Sequence, residues 1–352
     1  HLVSFLLVIL YKLAPSVNSY IQSSTFVLNF TSSPFAILFK ISITFIFGFI
    51  LRKLYKRTES NEKLEQAYFD VEINPFGTLY NPASIACGID DLLNKHLFNK
   101  SDLIRVDGDN RWHSFSHHSS FSKVSAEDML VNINQQIENV HQAICKASVL
   151  IITFGTAWVY EHNDTQKVVA NCHKLPASNF NRRLMSVDEI VIQWQNVIER
   201  LRRLNKDIHI IFTVSPIRHL RDGAHENQIS KSILLLAIND LIKKDNQLIY
   251  FPAYEVMNDD LRDYRFYASD MTHPSEIAVD YIYDLFSQSF FNDETLKLAV
   301  ECRRLYRRLQ HRPMSDDVEA VTRFETATQE LQAQMLCLYP FLEKTLMKNH
   351  KK

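Results

Sequence analysis

Two predominantly apolar runs, residues 148–154 (SVLIITF) and 208–214 (IHIIFTV), constrain this chain more than any other feature. A run without apolar/polar alternation has no solvent face, so it suits a central strand covered on both sides. The surrounding text is helical. Ser125 with Asp128, and Ser186 with Glu189, form N-terminal caps for amphipathic stretches that run to about residues 147 and 205. Residues 82–96, 226–244 and 274–290 read as further helices, and 68–73 and 247–251 as shorter strands. Strands separated by helices of this length imply crossover connections and a largely parallel sheet, an α/β class.

The chain of 352 residues has a formal net charge of −1, so no overall field favours nucleic acid. Five Cys without paired spacing do not form a disulfide framework. The first sixty residues read differently from the rest. Residues 2–10 are apolar, as are 35–51 except for Lys40, and the basic cluster 52–57 follows at once. One reading makes 35–51 a membrane-spanning helix with a positive-inside flank, which places the body on the cytoplasmic side of a membrane. The other makes 1–57 out-of-frame translation upstream of a cytoplasmic domain, since this text lacks caps and turn chemistry. No small-residue cleavage site follows the first apolar run.

The chemistry gathers where strands end. Asp270 stands three residues before His273, a spacing that lets the carboxylate orient the imidazole through Nδ1–H and leaves Nε2 as a general base. Pro274 and Glu276 suit the first turn of a helix beginning there. Gly77, Gly155 and Thr156 follow strands and offer backbone N–H donors to a substrate oxygen. Arg218 and His219 follow the 208–214 strand. His113, His117 and His118 lie within six residues, but no carboxylate or Cys stands close enough in sequence to complete a metal set, and no metal or cofactor is assigned. Cys172 and His173 are adjacent, so their side chains point apart, and His173 is read as lining a substrate loop. Arg262 to Arg265 reads as a salt-bridged turn.

These residues occur in longer stretches that resemble the GSCFA family, a branch related to the SGNH/GDSL hydrolases. The stretches are 69–82 (FDVEINPFGTLYNP), 112–115 (WHSF), 153–160 (TFGTAWVY), 171–174 (NCHK), 213–219 (TVSPIRH) and 262–267 (RDYRFY) running into Asp270 and His273. The resemblance covers roughly residues 58–325. It implies a three-layer α/β/α fold and serine-dependent ester hydrolysis or acyl transfer, with a small acyl ester or acylated carbohydrate as substrate and no cofactor or nucleic acid. Carried over residue by residue, it gives Asp270 and His273 as catalytic and Gly77 and Gly155 as small-residue positions.

The nucleophile does not carry over. The motif that names the family, Gly-Ser-Cys-Phe followed by Ala or Thr and Glu, aligns through Thr58-Glu59 onto Leu54-Tyr55-Lys56-Arg57. Tyr55 then stands at the serine position, and Ser60 is the nearby substitute, on a helix with no Gly beside it. Without a serine hydroxyl, His273 has no proton to take, and the chain as written is expected to be inactive. The alternative is a membrane-anchored, non-catalytic module that keeps the cleft for a carbohydrate or acylated ligand. The expected division is 1–57 as the apolar segment, 58–293 as the α/β domain and 294–352 as a helical extension.

Overall fold

A computed structural model describes residues 42–47, 59–311, 317–343 and 345–346. Strand β1 (Ser42–Phe47) leads to helix α1 (Glu59–Gln66) and strand β2 (Asp70–Ile73). Helix α2 (Pro82–Leu93), a short hairpin of β3 (Ile104–Arg105) and β4 (Trp112–His113), and helix α3 (Ala126–Ile144) precede β5 (Val149–Phe154). Strands β6 (Trp158–His162), β7 (Val168–Val169) and β8 (Phe180–Leu184) make a separate antiparallel sheet. Helix α4 (Val187–Leu204), β9 (His209–Val214), α5 (Gly223–Lys244) and β10 (Leu248–Phe251) follow. Helices α6 (Glu276–Phe290), α7 (Asp293–Gln310) and α8 (Val318–Leu338) form the C-terminal part.

The main sheet has the order β10-β9-β5-β1-β2 and every pairing in it is parallel. Alternate residues of its strands enter two separate clusters, as pleating requires. Leu150, Ile152 and Phe154 of β5 and Ile210, Phe212 and Val214 of β9 join Ile85 and Ile89 of α2, Trp194 of α4 and Leu234 of α5. Ile151 and Ile211 point the other way, to Leu64 and Ala67 of α1, Tyr283 of α6 and Ala299 of α7. Burial on both sides explains why these strands read as predominantly apolar without alternation. The C-terminal helices add a third cluster, in which Cys302, Leu305 and Met335 pack with Tyr68.

The N-terminal expectation needs correction. Residues 42–47 fall inside the stretch read as a membrane-spanning helix, yet they form an interior strand paired with β2 on one side and β5 on the other. A short apolar run without alternation suits a doubly covered strand as well as a membrane, and here two neighbouring backbones satisfy its hydrogen bonds. This apolar text supplies an interior strand of the sheet. Among the described residues no helix is long and apolar enough to cross a membrane. Tyr55 and the basic cluster lie outside the described residues.

Elsewhere the sequence reading holds with shifted ends. Ser125 and Ser186 do cap α3 and α4, each hydroxyl accepting the N–H three residues on, at 3.0 and 3.1 Å. The small β6–β7–β8 sheet escaped the sequence reading. Its strands are short, and β8 (FNRRL) carries an interior polar run with no period-two pattern.

Candidate active site at the carboxyl edge of the sheet

Parallel strands bring all their C-terminal ends to one edge, and the strand order locates a crevice on it. The chain leaves β1 toward β2 on one side and returns to β5 on the other, so the switch point lies between β1 and β5. Phe45 is in register with Ile73 and Phe47 with Thr153, so the chain leaves β1 level with the loops that follow β2 and β5.

The Asp–His loop arrives at this edge after β10, by way of a helical turn at Ala253–Glu255 and a π-helix at Val256–Asp260. Tyr267 bridges Pro274, the Ala268 N–H donates to the His273 carbonyl at 2.7 Å, and the Ser275 N–H donates to Phe266 at 2.8 Å. Inside this closed loop Asp270 Oδ1 accepts the N–H groups of Thr272 and His273, both at 2.9 Å. Its Oδ2 lies 2.5 Å from His273 Nδ1. Burial pushes the Asp270 carboxyl up, but the two backbone N–H groups and the His273 ring outweigh it and hold it below the usual carboxylate range. An ionised Asp270 is acceptor only, so it fixes the ring proton on Nδ1 and the lone pair on Nε2. The expected orientation of His273 by Asp270 is therefore present in the geometry. Pro274 stands just before the cap rather than in the first helical turn, because Ser275 takes the cap position of α6.

Helices α1 and α6 lie side by side here. Lys63 and Asp280, each four residues past the first residue of its helix, form an ion pair at 2.6 Å. This contact packs α1 against α6, the helix that follows His273. Ser60 falls in the first turn of α1, and its side chain lies outside the described residues.

The glycine positions behave differently from expectation. Gly77 has φ +75°, and its N–H donates to Asn74 O at 2.8 Å. The N–H groups of Gly155 and Thr156 both donate to Tyr80 O, at 2.9 and 3.0 Å. All three donors proposed for a substrate oxygen are engaged within the chain. What Gly77 makes room for is His118, whose Cβ would stand 2.3 Å from an added Cβ. Gly77→Ala combines that overlap with a left-handed backbone and is expected to cost roughly 2–4 kcal/mol in urea unfolding. Unchanged stability would contradict this packing.

The histidines near the end of β2 form a buried packing cluster. His117 Nδ1 lies 2.9 Å from Ser114 Oγ, His173 Nε2 donates to Ser114 O at 2.7 Å, and His113 Nδ1 lies 2.8 Å from Ser122 Oγ. The His113 and His173 rings sit 4.7 Å apart, and Phe76, Phe98 and Phe121 pack around His117. Among the described residues no group of three or more ligand side chains could hold a metal ion. Burial pushes the Cys172 thiol up to about 11, the opposite of an activated nucleophile. Arg265 pairs with Asp263 at 3.2 Å on the surface, the salt-bridged turn that was expected.

The sequence reading missed one residue of this edge. Lys231 of α5 is fully buried, and its Nζ donates to Gly155 O at 2.6 Å and Ser215 O at 2.7 Å, tying together the loops after β5 and β9. Its neighbour Ser230 accepts the Ala157 N–H at 2.8 Å, and Asn227 accepts the His219 N–H at 2.8 Å. The signal was available: Asn227, Lys231, Leu234, Ile238 and Leu241 share the buried stripe of α5, where a lysine is out of place. Arg218 and His219 lie exposed beyond this tie, with the Arg218 guanidinium 5.7 Å from the Tyr267 ring centroid of the Asp–His loop.

No curated protein and no solved structure matches this chain. The family model described as the GSCFA family matches residues 58–286, well over half of the sequence, from α1 through most of α6. The chain belongs to the GSCFA family.

Proposed function

We propose that this domain is built for serine-type ester hydrolysis or acyl transfer on a small acyl ester or acylated carbohydrate. In this reading the two covered faces of the sheet correspond to the three-layer arrangement of SGNH hydrolases. The domain takes in β1 and residues 58–293, and the helices after 294 are an extension. One observation carries the reading: an ionised Asp270 holds His273 in a loop that follows the last strand of a parallel sheet and leads into α6, a helix packed on α1. The hand-over from β1 to α1 is where a strand–turn–helix elbow would present a nucleophile to the base. His273 would take the nucleophile's proton through Nε2 and return it to the leaving alcohol. Because Gly77, Gly155 and Thr156 bond other backbone groups, the oxyanion donors are assigned to the elbow.

This chain has no serine at either position the elbow could take. Alignment through Thr58-Glu59 puts Tyr55 there, whereas counting from the end of β1 gives Gly48-Phe49, with a Gly in place and Phe49 at the serine position. The protein as written therefore keeps the base and its orienting acid without a nucleophile, and its remaining capacity is to bind ligand. The test is hydrolysis of p-nitrophenyl acetate and butyrate by three proteins: the chain as written, Phe49→Ser, and a variant carrying Leu54→Gly, Tyr55→Ser, Lys56→Cys and Arg57→Phe. The first is expected to be inert and one of the others active. Added His273→Ala should lower that activity about a thousandfold or more. Activity indifferent to His273→Ala would refute the assignment.

A further inference from the structure

The loop after β9 carries positive charge that a chain of net charge −1 does not account for. Arg218 and Arg221 flank His219, and among the described residues neither forms an ion pair. Arg218 donates to Asn258 Oδ1 at 3.3 Å, and Arg221 donates to the Tyr160 hydroxyl. Their guanidiniums lie 5.7 and 5.8 Å from the ring centroids of Tyr267 and Tyr160. Asp222, the carboxylate of this loop, is already taken by Arg182 at 2.5 Å. Beneath the loop, Lys231 has no carboxylate partner among the described residues.

Arginines held by aromatic rings and neutral acceptors are pre-organised but not neutralised, and their planar forks match carboxylate and phosphate oxygens. Their place matters as much as their charge. Tyr267, under Arg218, is three residues from Asp270, so an anion here would lie beside the acid–base pair.

We propose that Arg218 and Arg221 select an ester whose carbohydrate part bears an anionic group, a carboxylate or a phosphate. This rests on the carbohydrate-ester reading above, but its test needs no catalysis. The full chain is titrated calorimetrically at low salt with D-glucuronate, D-glucose 6-phosphate and D-glucose, alongside Arg218→Gln, Arg221→Gln and the double variant, each checked for an unchanged melting temperature. Both charged sugars are expected to bind at least about tenfold tighter than glucose, and each variant to lose about tenfold of that preference. The tighter of the two charged sugars identifies the anion. Affinity should fall as NaCl is raised. Charged-sugar binding no tighter than glucose, no binding by about 10 mM, or binding unchanged in the double variant overturns the proposal. Esterase failure with charge-selective binding intact would reject only the hydrolase reading, and the converse only this subsite.

Discussion

Lowering the pH from 7 to 5 is expected to remove roughly 4 kcal/mol of folding stability through two histidines, His117 and His173. Both are buried, at 1% and 6% exposure. Burial, helped by the neighbouring His173, pushes His117 down to about 3. Burial likewise pushes His173 down to about 4. In the unfolded chain each takes up a proton near pH 6.5. Below that value the unfolded state binds protons that the folded state does not, so stability rises with pH between about 4 and 6.5 and is lost on acidification. At pH 5 each ring contributes about 1.5 pH units of that difference, or roughly 2 kcal/mol. Asp109, 3.4 Å from His113 Nε2, supports only the outer ring of the cluster. The measurement is urea unfolding from pH 5 to 7.5 of the wild type, His117→Gln and His173→Gln. Each variant should show a visibly shallower pH dependence than the wild type, whatever its baseline. Parallel curves would mean that these rings are already solvated.

The second large effect runs in the alkaline direction and belongs to Lys231. Burial pushes its ammonium down to about 7, from an ordinary value of 10.5. The unfolded chain holds that proton up to pH 10.5 while the folded chain releases it above 7. The unfolded state therefore binds more protons in this window, and stability rises with pH across it. Between pH 7 and 9 the gain is roughly 2 kcal/mol. Lys231→Met removes the titration while keeping most of the side-chain volume, so the wild type should gain by that amount relative to the variant. The difference is read from unfolding free energies at pH 7, 8 and 9. A constant difference would show that the ammonium keeps its proton in the fold, held by Gly155 O and Ser215 O.

The parts of this molecule that were legible in its sequence are those where one residue pattern had one physical solution. Predominantly apolar runs at 149–154 and 209–214, set between capped helices, read as doubly covered strands, and Ser125 and Ser186 as the caps. Asp270 and His273 were legible because three-residue spacing closes a turn by itself, needing no distant partner. What depended on tertiary partners was not. The 42–47 strand and a membrane span share the same text, and only the flanking β2 and β5 distinguish them. The Gly77, Gly155 and Thr156 N–H groups looked available because the carbonyls that engage them, Asn74 and Tyr80, lie in loops without regular pattern. Lys231 was hidden by the habit of assigning charge to the outside of a helix.

In the proposed reading His273, oriented by Asp270, is the base for a nucleophile that this chain lacks. The most direct test of this reading is labelling by a fluorophosphonate, which reacts covalently with an activated serine, read by intact mass. The account predicts no adduct on the chain as written. It predicts one adduct on Phe49→Ser or on the 54–57 replacement, and loss of that adduct when His273→Ala is added. An adduct on the unaltered chain, or a restored serine that labels equally well without His273, would contradict it.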